Sequence, residues 1–267
     1  MLDKALKYET DILILDLEDA IASDRKDLAR ATLATWLAGL DNGPGPGLWV
    51  RVNPGRTLAA DVTAALAAGQ VAGICRPKTT TPDDVRELAD ILDELGSTAR
   101  IAAIIEDAAA VFAAREIAAA SRRVARLQLG EADLCAATGI MPGPDETELL
   151  WARSHLVLAS SAAGIEPPLG PVSTDYRDLG RLRETTERLL RLGFGGRACI
   201  HPAQLPVVRG VFTPSADQLE GARRTLEAFE RGRGGAVARA GGSMVDEAVA
   251  RQARALIARA GPQRPAQ

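Results

Sequence analysis

The chain is poor in aromatic residues: Phe, Trp and Tyr together make up 3% of its 267 residues. A core built from it must pack small aliphatic side chains, which suits helices laid against strands. Cysteine is scarce as well. Cys75, Cys135 and Cys199 stand far apart with no C-x-x-C spacing, which argues against a disulfide frame or a zinc knuckle and for a reducing cytoplasm. An excess of one charge is missing too. The 32 Lys+Arg against 35 Asp+Glu leave a formal net charge of −3, so no concentrated basic face for nucleic-acid phosphates is expected. No apolar run reaches the roughly 18 residues of a membrane span, and the N-terminal MLDKALKYETD lacks the apolar core of a secretory signal. Also absent are the G-x-G-x-x-G fingerprint, the P-loop, the G-x-S-x-G elbow and H-E-x-x-H. With them go the usual marks of dinucleotide binding, nucleotide hydrolysis, serine hydrolysis and zinc proteolysis.

What is present is the ordinary balance of a soluble globular chain, 46% hydrophobic and 25% charged. One rhythm repeats along it: a short apolar run, a polar punctuation, then a longer amphipathic stretch. The runs at 11–17, 48–53, 71–76, 100–105 and 125–130, with weaker ones at 171–174 and 197–200, are too short for helices. They lack clean alternation, as parallel strands covered on both faces do. Helices are expected over 24–38, 57–68, 82–95, 107–119, 146–163 and 178–192. Ser23 and Thr81 stand as N-caps, and Gly39, Gly69, Gly96, Gly164 and Gly193 as stops. Such alternation predicts a parallel sheet with right-handed crossovers. Seven units are visible, where a closed (β/α)8 barrel needs eight strands. After Phe229 the composition shifts: residues 231–242 contain five glycines and read as a flexible connection to a last helix over 245–260. The expected domains are a barrel over 1–230 and a hinge with a helical lid over 231–267.

Parallel α/β sheets build their sites at the C-terminal strand ends. Those ends read Asp16, Glu18 and Asp19; Arg51 and Asn53; Arg76 and Lys78; Glu106; Glu131 and Asp133; and His201. Glu106 and Asp133 follow consecutive strands, and two hard carboxylates with no cysteine or histidine pair suit Mg2+. Asp133 could equally cap a helix starting at Leu134. Arg51 offers a planar fork for a carboxylate or a partner for Glu18 or Asp16. Lys78 reads as an electrostatic group, and His201 as a loop hydrogen-bonder or a site residue.

At these same places the chain resembles the citrate lyase β-subunit-like (CitE-like) group of the HpcH/HpaI aldolase superfamily. The matching pieces are LDLEDAI from Leu15, VRVN from Val50, RPK from Arg76, IIEDA from Ile104, LGEADL from Leu129, LGFGGRACIHPAQ from Leu192 and VFTPS from Val211. They stand in family order and cover most of the chain. The resemblance implies a (β/α)8 TIM barrel of the phosphoenolpyruvate/pyruvate type, here without its first strand and with a C-terminal helical extension. It implies a Mg2+-dependent C–C lyase on a 3-hydroxyacyl-CoA thioester, of the citryl-, malyl-, citramalyl- or HMG-CoA type. The alternatives are malate synthase or malyl-CoA thioesterase activity, and a non-catalytic CoA-ester-binding homologue. Carried over by residue, Glu106 and Asp133 match the metal ligands, and Arg51 the arginine that holds the keto acid. Glu18 falls on a catalytic position, Asp19 and Lys78 on the substrate rim, and Asp246, in GSMVD, on the acid–base position. A cytoplasmic homo-oligomer, often a trimer in the family, is also implied. Two departures stand out: the family pattern opens with a strand ahead of the helix that matches Met1, and Thr79–Thr81 replaces a common glutamate.

Overall fold

The computed structural model describes residues 2–41, 43–232, 237–238 and 244–260. They form two compact units, 1–205 and 206–267. The first begins with a short helix α1 (Leu2–Ala5) and then strictly alternates. Strands β1 (Ile12–Asp16), β2 (Gly47–Arg51), β3 (Val71–Arg76) and β4 (Arg100–Ile105) are separated by helices α2 (Lys26–Ala38), α3 (Leu58–Leu66) and α4 (Pro82–Glu94). Helices α5 (Ala108–Phe112) and α6 (Ala114–Ala118) lead to β5 (Val124–Leu129), then α7 (Glu131–Thr138) and α8 (Leu150–Ala163) to β6 (Leu169–Gly170). Helix α9 (Leu179–Leu192) leads to β7 (Gly196–Arg197). The seven strands lie in chain order, each parallel to the next. The result is an open, curled half-barrel of the TIM type.

Strand alternation divides the core in two. Leu13, Leu15, Leu48, Val50, Ile101, Ala103 and Ile105 pack outward under the helices. Ile12, Ile14, Trp49, Cys75, Ala102, Ile104 and Ala125 line the inside of the curl. The one large ring in that lining is admitted by a glycine: a Cβ on Gly73 would meet the Trp49 ring at 2.5 Å. The scarcity of aromatics is thus a property of the whole core, with one bulky exception fitted to a bare backbone.

The sequence placed most elements within a few residues of where they lie, and the exceptions have causes. The sixth strand, expected at 171–174, is Leu169–Gly170; Pro171 has no N–H for the ladder, so pairing stops before it. The helix expected from 146 starts at Leu150, because Glu146 is held at φ 56 and only a 3-10 turn, Thr147–Leu149, follows. The helix over 107–119 breaks at Ala113, which adopts φ −89 and ψ 7. Ser23 lies inside a 3-10 turn and caps nothing, whereas Thr81 makes a full capping box with Asp84.

At the boundary of the second unit lies α10 (Leu205–Phe212), followed by α11 (Ala216–Arg231). Then β8 (Val237–Ala238) pairs antiparallel with β9 (Met244–Val245), ahead of α12 (Glu247–Arg259). Phe229, Val245 and Ala250 make this unit's small core. Of the glycine-rich connection, residues 233–236 and 239–242 lie outside the described residues. None of the described helices is long and apolar enough to cross a membrane.

Candidate active site

Inward-facing positions two residues apart carry the lining up to the C-terminal rim. Ile12 and Ile14 lead to Asp16, Trp49 leads to Arg51, and Ile104 leads to Glu106. The apolar interior therefore ends in a layer of charge. Arg51 donates from Nε and Nη2 to the two carboxylate oxygens of Asp16, at 2.8 and 2.5 Å. Its Nη1 lies 3.1 Å from Glu18 and 3.5 Å from Asp19. Lys78 Nζ reaches the other oxygen of Glu18 at 3.1 Å.

These contacts do not treat the acids alike. Burial alone would raise the Asp16 pKa, but the Arg51 hydrogen bonds and charge, with the N–H groups of Glu18 and Ala20, hold it below the usual aspartate value. Glu18 is 4% exposed, and neither of its carboxylate oxygens has an aligned hydrogen bond. Burial pushes its pKa up; Lys78 and Arg51 oppose this and Asp19 adds to it. A carboxylate raised by burial and faced by two cations is suited to exchanging a proton.

Glu106 sits beside this layer. Lys78 adopts φ 49, a left-handed backbone rare outside glycine, and its N–H donates to Glu106 Oε1. Burial raises Glu106 most; the Lys78 N–H opposes, while the charges of Asp133 and Glu18 push further, to about 7. Gly130 gives the carboxylate its room, since a Cβ there would stand 2.8 Å from Oε2. Asp133 lies in the first turn of α7 and faces solvent. That helix starts at Glu131 with Gly130 as its cap, so Asp133 does not cap a helix at Leu134. Among the described residues no cluster of three or more His, Cys, Asp or Glu gathers around a metal position. A hard cation here would take Glu106 and Asp133 and fill its remaining positions with water and substrate oxygens.

The remaining residues singled out by the sequence make the following contacts. Arg76 points away from the site and grips Asp84 and Glu87 of α4. Glu131 is held bidentately by Arg153 of α8, which also binds Glu146. His201 accepts from the N–H of Ala203 through Nδ1 and stacks on Tyr176 at 4.6 Å, a loop hydrogen-bonder. In the second unit, Asp246 caps α12 by accepting from the N–H of Val249.

Two supports escaped sequence reasoning. Lys26 ties down the carbonyls of Leu17 and Glu18. Asp61, 1% exposed in α3, binds Arg30 together with the backbone and side-chain N–H groups of Asn53. The signal for the second was a lone aspartate in the apolar face of LAADVTAAL. Arg153 had a comparable signal, as the single charge of α8. With Arg153→Met, Glu131 and Glu146 lose their shared cation, and stability should fall by about 3 kcal/mol, measured by urea denaturation.

A half-barrel with a charged rim of carboxylates, Arg51 and Lys78 at its C-terminal strand ends defines a protein of the α/β-barrel class. The family within that class is settled by comparison: the HpcH/HpaI aldolase/citrate lyase model matches residues 1–202, and the chain belongs to that family. The citrate lyase subunit beta of Haemophilus influenzae is 32% identical, over 97% of this chain and 92% of its own. A (3S)-malyl-CoA thioesterase of Cereibacter sphaeroides is 34% identical, over 97% and 90%. Among solved structures, CitE of Mycobacterium tuberculosis in complex with magnesium, acetoacetate and coenzyme A is 34% identical. It superposes with a TM-score of 0.77, over 95% of this chain and 91% of that one.

Proposed function

We propose that this chain is a Mg2+-dependent carbon–carbon lyase that splits a 3-hydroxyacyl-CoA thioester into acetyl-CoA and a keto acid. The observation that carries the reading is Glu106, a buried carboxylate at about 7 under the charge of Asp133 and Glu18, beside the cations Arg51 and Lys78. The residues fit a divalent cation. Its charge would relieve the repulsion among these acids, and the bare backbone of Gly130 lets the Glu106 carboxylate lie close against the start of the helix that carries Asp133. Glu106 and Asp133 would hold it. Bound there, such an ion polarises a substrate oxygen as a Lewis acid.

The chain's own groups supply the rest. Arg51, pinned by Asp16, presents its remaining N–H groups to the substrate carboxylate. Lys78 adds positive charge beside it, and Asp19 borders the same ground. A base takes the hydroxyl proton, the carbon–carbon bond breaks with its electrons passing to the acetyl carbon, and protonation there completes acetyl-CoA. Glu18 fits the proton transfer by its burial and unaligned oxygens. By resemblance the acid–base role belongs to Asp246, and assays of Glu18→Gln beside Asp246→Asn separate the two.

The relatives support a CoA thioester as substrate, since the Mycobacterium tuberculosis structure contains coenzyme A and acetoacetate. A second reading rests on the (3S)-malyl-CoA thioesterase relative: hydrolysis of malyl-CoA to malate and free CoA. Purified protein should be assayed with Mg2+ or EDTA against citryl-, malyl-, citramalyl- and 3-hydroxy-3-methylglutaryl-CoA. Mg2+-dependent acetyl-CoA supports the lyase; free CoA thiol with malate supports the thioesterase. No product from folded, Mg2+-loaded protein overturns both. The three cysteines are free, which supports a cytoplasmic setting, and we place the protein there as a homo-oligomer.

One local substitution tests the cation site. Gly130→Ala puts a methyl group against the Glu106 carboxylate and should weaken Mg2+ binding by roughly tenfold, about 1.4 kcal/mol. Titration calorimetry checks it; the added methyl group would also stand 2.7 Å from Glu106 Cβ, so the melting temperature should fall too, and circular dichroism shows that the variant is folded.

A further inference from the structure

Among the described residues only Lys78 and Glu146 combine a side chain with a left-handed backbone. That conformation costs energy for any residue with a Cβ, and it persists only where the surroundings over-determine it. Around Lys78 they do. Arg76, at the end of β3 and 2% exposed, donates from Nε to the main-chain oxygen of Asp84 at 2.6 Å and from Nη2 to Asp84 Oδ1 at 2.7 Å. The other carboxylate oxygen of Asp84 accepts from the N–H groups of Thr80 and Thr81, at 2.9 and 2.8 Å. Thr79, fully buried, donates its N–H to the Ile104 carbonyl of β4 and its hydroxyl to the Arg76 carbonyl. The chain from Arg76 to Asp84 is thereby closed into a ring that contains Lys78.

Stability is a poor account of this ring. Arg76 Nη1 is buried with no hydrogen-bond partner among the described residues, and a buried ion pair is often no more stabilising than apolar side chains of the same volume. What the ring secures is a double contact. Lys78 gives its N–H to Glu106 and sets its ammonium 3.1 Å from Glu18. Rotation about φ changes the angle between a residue's N–H and its side chain, so the left-handed value is tied to meeting both acids at once.

We propose that Asp84 is a positioning residue: gripped by Arg76 on one side and gripping the N–H groups of Thr80 and Thr81 on the other, it holds Lys78 in the turn that brings its two ends to Glu106 and Glu18. The carboxylate acts through Lys78 and takes no part in the bond changes. Its effect on turnover rests on the lyase reading above; its hold on Lys78 does not. Thr81 supplies the control. Its hydroxyl belongs to the capping box of α4 and makes none of the bonds to Arg76 or Thr80, so Thr81→Ala weakens the helix start and leaves the ring closed.

Amide exchange followed by NMR in the metal-free protein reads the turn apart from activity. The diagnostic group is the Lys78 N–H, because its acceptor is Glu106 and survives the substitution. In Asp84→Ala it should exchange about tenfold faster or more, and in Thr81→Ala at the wild-type rate. Asp84→Asn keeps an oxygen for the two N–H groups but loosens Arg76, so it should fold with its cap intact and give an intermediate rate. Well below the melting transitions, kcat of Asp84→Ala should fall by about tenfold with KM little changed, while Thr81→Ala turns over normally. Wild-type exchange at Lys78 in either folded Asp84 variant would overturn the proposal. So would equal losses of kcat in Asp84→Ala and Thr81→Ala, which would follow helix stability alone. With a wild-type protein that shows no lyase turnover, the exchange rates decide by themselves.

Discussion

Glu106→Gln should abolish Mg2+ binding and lower turnover by about 10³-fold or more, while leaving the protein at least as stable. The side chain keeps its shape, and its amide oxygen can still accept from the Lys78 N–H. What disappears is a buried charge repelled by Asp133 and Glu18, so at pH 8 the melting temperature of the Mg2+-free variant should match or exceed the wild type. A loss of activity through unfolding would lower it instead. The same carboxylate sets a pH dependence. Burial raises its pKa from the ordinary glutamate value of 4.5 to about 7 in the folded, metal-free protein, so the native state holds the proton more tightly than the unfolded chain. The stabilisation this brings is full below the unfolded value and is lost as pH rises through about 7. Cation binding runs the other way, because the ligand must be ionised: Mg2+ affinity should fall by roughly tenfold per pH unit below about 7. Titrations from pH 5.5 to about 8 check both slopes, and in Glu106→Gln the melting slope due to this group should vanish. A pH-independent Mg2+ affinity in the wild type would remove Glu106 from the site.

The rim was legible because parallel strands turn their ends to one side, and charged residues at the ends of apolar runs stand out. Asp16, Glu18, Arg51, Lys78 and Glu106 were all found in this way. What strand position could not say is which way a side chain leaves the backbone. Arg76 and Lys78 look equivalent in RPK, yet Arg76 follows the outward alternation to α4, while Lys78, at φ 49, turns its N–H to Glu106. Glu131 and Asp133 look equivalent in GEADL as well. Two residues apart on a helix they face different neighbours, and only Glu131 meets Arg153. The short strands β6 and β7, two residues each, had too little apolar pattern to fix their ends. The supports of the rim were invisible for another reason. Lys26 and Asp61 lie in helices whose faces only the folded sheet defines, and their meaning appears once Leu17 and Asn53 are placed.

Arg51 should prove to hold together both the rim and the substrate, and two substitutions separate these roles. Arg51→Met removes the shared cation of Asp16, Glu18 and Asp19. Asp16 and Glu18 are largely buried, so stability at pH 7 should fall by about 2 kcal/mol, less than for a fully enclosed pair because water still reaches the guanidinium. The sign of the pH effect follows from Asp16, whose folded pKa lies below the ordinary aspartate value of 3.8. Its contribution is present above that value and is lost as pH falls through the folded one. The gap between wild type and Arg51→Met in urea denaturation should therefore narrow as the pH drops below about 4. Arg51→Lys keeps the charge and so most of the stability, but a single ammonium cannot bind Asp16 with two parallel bonds and also face a substrate carboxylate. For this variant kcat/KM should fall by about 10²-fold or more with the melting temperature nearly unchanged. A weaker KM with normal kcat would make Arg51 a binding group alone. Equal losses in kcat and kcat/KM would show that its hold on the substrate tightens as the carbon–carbon bond breaks.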